Sequence, residues 1–64
     1  MIQFNLLKEK RIAQQHIDAA SLYITENGGE FVILKRHIEF YVPTEHLAIV
    51  ALRFPFLQAV QYIW

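Results

Sequence analysis

The sequence predicts an α+β fold: one small domain over residues 1–64 with the element order β-α-β-β-α, an antiparallel hairpin and a C-terminal helix kinked at a proline. Three observations support this prediction. Apolar and polar residues alternate near the amino terminus and again before Pro43. Between these segments the apolar residues recur at helical spacing. Finally, two neighbouring strand-like runs are too close together for a helical crossover, so they should pair antiparallel.

The first strand and the first helix follow from two different periods. Residues 1–6 alternate apolar with polar side chains, which is typical of a half-buried strand. From residue 12 onward the apolar side chains recur every three or four positions and form one helical stripe. The stripe consists of Ile12, Ala13, His16, Ile17, Ala20, Tyr23 and Ile24. Asn27-Gly28-Gly29 is expected to end the helix, because glycine tolerates the left-handed conformation that closes a helix.

The segment FVILKRHIEFYV, residues 31–42, predicts an antiparallel hairpin. Residues 31–34 are bulky and mostly β-branched or aromatic, as strands prefer, and residues 38–42 alternate apolar with polar side chains. The turn is expected near Lys35-Arg36-His37. Because this turn lacks an Asn-Gly or Asp-Gly pair, its type and register stay open, and one long bent strand is the alternative.

The C-terminal third predicts a broken helix. Pro43 ends the hairpin's second strand, because proline cannot donate to a sheet ladder. Thr44 is predicted to be the N-cap of a helix that begins near Glu45. Pro55 should kink this helix or divide it in two, since it removes a backbone donor and clashes with the preceding turn. After Pro55 the apolar residues form a second helical stripe: Phe56, Leu57, Val60, Ile63 and Trp64.

The composition combines a small interior with a surplus of apolar residues. The apolar fraction is 55%, above the range of about 45–50% that is ordinary for globular proteins. A chain of 64 residues buries a smaller share of its surface than a long one does. We therefore expect part of the surplus to be buried against another molecule, with a homo-oligomer, and first a homodimer, as the simplest case.

Two sets of apolar residues are candidates for that contact. Leu22 falls outside the stripe of the first helix, so the core of one copy should not reach it. We expect Leu22 to contact a partner, with Ala19 allowing a close approach. The C-terminal tail supplies the second set, which is predicted to bury against the sheet or a second chain: Phe56, Val60 and Trp64.

Catalytic and metal-binding signals are weak in this sequence. The chain has no cysteine, and its three histidines show no metal-ligand spacing, so we expect no metal and no cofactor. His16 lies inside the helical stripe and is expected to be packed and hydrogen-bonded. His37, Glu39 and Tyr41 share one strand face, which could act as an acid–base cluster but is more often the solvent face of a sheet.

The expected function is therefore binding rather than chemistry. The sequence predicts a small, non-enzymatic, cytoplasmic interaction module that acts as a regulator or inhibitor by binding a macromolecular partner. The formal net charge is zero, which gives no strongly basic or acidic signature. Residues 1–7 lack the basic start and long apolar run of a signal peptide, which indicates a cytoplasmic protein.

Two alternatives stay open. The first is a small nucleic-acid-binding regulator that uses cations before the first helix and at the hairpin tip: Lys8, Lys10, Arg11, Lys35, Arg36 and His37. Basic hairpin tips also keep strand edges from pairing, which is the structural explanation of the same residues. The second is a protein that lies in a membrane interface through its uncharged tail, residues 54–64, with Tyr62 and Trp64 as anchors.

Overall fold

The computed structural model describes residues 1–60, which form four strands and two helices. The strands are β1 (Ile2–Leu7), β2 (Glu30–Ile33), β3 (His37–Val42) and β4 (Gln58–Val60). The helices are α1 (Gln14–Glu26) and α2 (Leu47–Arg53). Short 3-10 turns at Lys8–Lys10 and Thr44–His46 follow β1 and precede α2.

All four strands form one antiparallel sheet in the order β2-β3-β1-β4. The connection through α1 joins β1 to β2 past β3, and the connection through α2 joins β3 to β4 past β1. This double split β-α-β topology is called ferredoxin-like, a term that describes connectivity and implies no activity. The predicted α+β class and the order β-α-β-β-α are confirmed, and a fourth strand follows α2.

The central strands β1 and β3 supply the middle of the core. Phe4 lies opposite Phe40, and Leu6 lies opposite Ile38. Phe4 and Phe40 are only 1% and 0% exposed, because alternate residues of both strands point to the face that packs against the helices. Further core residues come from β3, from both helices and from the segment after α2: Val42, Ala20, Ile24, Val50, Phe54 and Leu57.

The predicted hairpin is formed by β2 and β3. Ile33 lies opposite Ile38, and the amide of Leu34 donates a hydrogen bond to the carbonyl of His37 at 2.9 Å. The connection is therefore a two-residue turn at Lys35 and Arg36. His37, which the sequence places in the turn, is the first residue of β3.

The segment after α2 is a strand, so the prediction of a second helical piece is wrong. α2 ends at Arg53, and the amide of Phe54 donates to the carbonyl of Val50 at 2.9 Å. Pro55 has no amide hydrogen with which to continue the helix, and a turn follows in which the amide of Leu57 donates to the carbonyl of Phe54. β4 then pairs with β1, which gives backbone groups on both strands their partners.

The start of α2 also differs from the prediction. Thr44 begins a 3-10 turn, and no side-chain hydrogen bond caps this turn or the helix. The amide of His46 instead donates to the carbonyl of Pro43 at 2.9 Å. The backbone of the turn therefore already satisfies an amide that a Thr44 side chain would cap. α2 therefore begins at Leu47. Ile63 and Trp64, two members of the predicted tail stripe, lie outside the described residues.

The glycines after α1 end the helix as predicted, each for its own reason. Gly28 has a φ of 87°, in the left-handed region that favours glycine. The amide of Gly29 donates to the carbonyl of Ile24 at 2.8 Å. A Cβ on Gly29 would clash with the carbonyl oxygen of Tyr41 and with Cγ2 of Ile24. Gly29 therefore permits the close approach of α1 to β3.

Substitution of Gly29 tests this close approach. Gly29→Ala should lower the free energy of unfolding by about 1–3 kcal/mol, because the added methyl group must displace packed atoms. Urea denaturation followed by circular dichroism would measure the loss. Gly28→Asn is the matched control and should cost less, because asparagine tolerates positive φ. An unchanged urea midpoint for Gly29→Ala would contradict the clash.

Candidate functional site: a groove beside an open strand edge

Within residues 1–60, β2 is an edge strand whose only charged residue is Glu30, at its first position. All four of its residues, Glu30–Ile33, are exposed, and three of them are large and apolar. Natural edge strands are usually protected by lysine, proline, a bulge or a covering segment. β2 contains neither lysine nor proline, and its register with β3 runs without a break. This edge is therefore open to pairing with another strand.

The free backbone groups of this edge belong to two residues. Hydrogen-bonded and non-hydrogen-bonded pairs alternate in an antiparallel ladder. Because Leu34 bonds to His37, Ile33 and Phe31 occupy the non-bonded pairs with β3. The amide and carbonyl groups of Ile33 and Phe31 consequently point away from β3, toward the open side.

A groove of about 710 Å³ lies between α1 and β2. Buried Leu6 and Ile38 contribute to its lining from the central strands, and Phe31 and Ile33 line it from β2. The helix contributes one half-buried apolar residue that also packs against the core, Ile17, and a row of polar or exposed ones: Gln14, Asp18, Ser21, Leu22 and Thr25. This lining is mostly apolar with a few polar groups, which is typical of binding surfaces.

Leu22 is a wall residue of the groove. It is 58% exposed and lines the groove from α1. Leu22 is therefore not buried in the core of one copy, as its position on the helical wheel predicts. Ala19 is exposed on the same helix. A large apolar side chain held in water beside a strand edge favours contact with a partner.

The other predicted contact residues lie apart from Leu22. Phe56 is half-buried and packs against the core, where its ring centroid lies 6.1 Å from that of Phe54. Val60 lies in β4, at the opposite edge of the sheet from β2. Trp64 lies outside the described residues. Among the described residues, Phe56 and Val60 therefore do not share the groove with Leu22.

Phe31 and Ile33 are the residues of this site that the sequence reasoning missed. Their residue types predict a strand and no role beyond it. The signal was the unbroken apolar run at residues 31–34. A strand buried on one face alternates apolar with polar residues, so an unbroken run on a short sheet predicts that some of its side chains stay uncovered.

The two groups of predicted cations come together at one end of the sheet. The amide of Lys8 donates to the carbonyl of Arg36 at 3.1 Å, which joins the 3-10 turn after β1 to the hairpin tip. We call Lys8, Lys10, Arg11, Lys35 and Arg36 the basic corner; all five are exposed. The chain has six lysines and arginines in total, so Arg53 is the only one outside the corner.

The basic corner adjoins the groove, and acidic residues lie at the other end. Lys8 and Arg11 line the groove next to β1. α1 runs away from the corner and ends at Glu26, and β2 runs back toward it from Glu30. A chain of zero net charge therefore has five of its six lysines and arginines at one end of the α1–β2 pair and two carboxylates, Glu26 and Glu30, at the opposite end.

His37, Glu39 and Tyr41 form a hydrogen-bonded row on the sheet face opposite the core. The hydroxyl of Tyr41 donates to Oε1 of Glu39 at 2.5 Å, and Nε2 of His37 lies 3.0 Å from Oε2 of Glu39. These bonds, the one from Tyr41 first, lower the pKa of Glu39 below its ordinary value. A carboxylate held in its ionised form is a weaker base, which does not favour general-base chemistry.

The other two histidines are not arranged as a site. His16 is exposed rather than buried, because it lies in the first turn of α1, one turn before the first buried residue of the helix, Ala20. Its ring nevertheless contacts that of Phe56, with 6.3 Å between the ring centroids. The imidazole of His46 meets the ring of Tyr23 edge-on at 6.2 Å. Within residues 1–60, no three His, Asp or Glu side chains are close enough together to hold a metal ion.

Comparisons with protein-family models, curated proteins and solved structures find no match to this chain. The groove and the strand edge must therefore be interpreted from their own chemistry. Within residues 1–60, neither helix is both long and apolar enough to cross a membrane. Phe54 and Leu57, in the tail that the membrane alternative invokes, are buried in the core.

The lowered pKa of Glu39 predicts how the stability of the protein depends on acid. A carboxyl whose pKa is lowered by folding stabilises the folded state above its unfolded pKa, and this contribution is lost as pH falls through the folded pKa. The unfolding free energy should therefore fall as pH drops below the ordinary value of 4.5. The unfolding free energy of Glu39→Gln should fall less steeply in that pH range, and that of Tyr41→Phe should fall at an intermediate rate. Parallel pH curves for wild type and Glu39→Gln, measured by urea denaturation, would exclude this role.

Proposed function

We propose that this protein is a small interaction module that acts by binding, without catalysis, and that it uses the open edge of β2 and the adjoining groove for homo-oligomeric contact. The observation that carries the proposal is the coincidence of unpaired backbone groups on Phe31 and Ile33 with an apolar groove next to them. Backbone groups supply affinity in strand addition, and side-chain pockets supply selectivity.

The apolar surface supports the same proposal. Leu22, Phe31, Val32, Ile33 and Leu34 are all exposed. Single exposed apolar residues are ordinary, but a contiguous set around one strand edge marks an interaction surface. A regulator or inhibitor needs such a surface and no catalytic group. We also assume a cytoplasmic protein, which fractionation of cells that produce the tagged chain would test.

Self-association provides the first test. Wild type should increase in mass with concentration above the 7.6 kDa of one chain, and Leu22→Glu should weaken this association, because a charge in a desolvated contact is costly. Leu52→Glu is the matched control: Leu52 is 83% exposed on α2 and does not line the groove. Sedimentation velocity over a concentration series would separate them. A single-chain mass for wild type at every concentration, or equal effects of both variants, would refute the proposal.

A second function, binding of nucleic acid, is favoured by one observation. The backbone bond between Lys8 and Arg36 brings the two parts of the basic corner next to each other, and a local cluster of cations suits contact with phosphates. Glu9 lies within the same turn and offsets part of that charge. We therefore place this function second.

The basic corner can be tested without disturbing the fold. Lys35→Gln combined with Arg36→Gln should change the melting temperature little, since exposed charges contribute well under about 1 kcal/mol. The same pair should abolish any affinity for DNA or RNA in mobility-shift assays at low and moderate salt, because phosphate contacts weaken steeply with salt. If the double variant binds DNA or RNA as tightly as wild type, the basic corner is not the nucleic-acid-binding surface.

A further inference from the structure

We infer that two copies of this chain join their sheets through β2, related by a two-fold axis at Val32, to form one eight-stranded antiparallel sheet. This inference rests on the proposed function and specifies its contact. Each copy contributes a four-stranded sheet with β2 at its edge. A second copy is the simplest partner that supplies a matching strand of equal length and character.

The free backbone groups select the register. Only Phe31 and Ile33 of β2 direct both their amide and their carbonyl outward, as the pairing with β3 requires. In an antiparallel pair of two β2 strands, Phe31 of one copy can lie opposite Ile33 of the other. In this register every outward amide and carbonyl of both residues forms a hydrogen bond across the pair. Val32 then faces Val32 across the axis. A shift by one pair would place Ile33 opposite Gly29, whose amide is already bonded to Ile24.

The side chains suit this register. On the helix side, Phe31 meets Ile33 of the second copy at two symmetric positions, and aromatic residues pair favourably with β-branched ones. On the opposite side, Val32 meets Val32, and Glu30 meets Leu34. The exposed apolar side chains of β2 thereby cover one another. The groove of each copy is then bounded on its open side by the second copy, and Leu22 on the groove wall lies within the contact.

The charges select the antiparallel direction. In each copy, β2 has Glu30 at its start and the cations Lys35 and Arg36 just after its end. An antiparallel pair brings the acidic start of one strand to the basic end of the other. A parallel pair would place cations beside cations and carboxylates beside carboxylates. The separation of charge along β2 therefore complements a second copy in one orientation only.

Disulfide trapping at the axis tests the pairing. The chain has no cysteine of its own, so every link comes from an introduced residue. Opposed residues in a non-bonded antiparallel pair have Cα atoms about 4.5 Å apart, within the range that a disulfide accepts. Val32→Cys should form a covalent dimer under mild oxidation, at least about tenfold faster than Leu52→Cys, because the reaction within a dimer is intramolecular.

Glu30→Cys is the matched control on the same strand. The two copies of residue 30 would be separated by four residue steps, roughly 13 Å, which a disulfide cannot span. Linking of Glu30→Cys as fast as Val32→Cys would overturn the register. Val32→Cys that links no faster than Leu52→Cys, in a chain whose wild type sediments as a dimer, overturns this pairing and leaves the proposed function standing. A wild type that is monomeric at every concentration overturns both.

A charge exchange tests the direction of the strands independently. Glu30→Lys should weaken dimerisation several-fold, because it places a cation beside Lys35 and Arg36 of the second copy. Adding Lys35→Glu and Arg36→Glu to the same chain should restore it, since both ends are then reversed together. Sedimentation equilibrium at low salt would measure each constant. Failure of the triple variant to recover, with its circular dichroism unchanged, would overturn the antiparallel arrangement.

Discussion

The antiparallel pairing of β1 with β3 fixes the position of every other element. It sets Phe4 opposite Phe40, and these two rings occupy the centre of the core. Because β1 and β3 pair with each other, β2 and β4 can only add at the outer sides, and both become edges. The same pairing continues past the strand ends, where Lys8 bonds to Arg36 and the basic corner forms. The core, the open edge and the separation of charge therefore have one origin.

The parts of the fold that the sequence predicts are those with a clear period. Ile38, Phe40 and Val42 alternate with polar residues, and all three are buried. The stripe of α1 likewise predicts Ala20 and Ile24 as its buried residues. The segment after Pro55 has no single clear period, because its apolar spacing fits a helix as well as a strand. Only the free side of β1 decides that Gln58–Val60 is a strand, and a tertiary partner is not visible in a local pattern.

The site is less predictable than the fold, for a related reason. Leu22 can be found from the sequence, because it departs from a well-defined helical stripe. Phe31 and Ile33 cannot, since their role depends on which side of β3 remains unpaired. The meeting of Lys8 with Arg36 depends on register, which no turn signal in the sequence specifies. His16 belongs to the apolar stripe of α1 and yet is exposed. Membership of such a stripe does not ensure burial in the first turn of a helix.

The two sheet edges, β2 and β4, bear on how an assembly would grow. β2 has four residues, while β4, as far as the structure describes it, has three. A head-to-tail contact of β2 with β4 of the next copy would leave the same two edges free at every step and would extend into a filament. A two-fold contact of β2 with itself uses the same edge of both copies at once. That contact closes at two chains, and it withdraws the apolar strand at its centre from open-ended, amyloid-like growth, while β4 remains the outer edge of each copy.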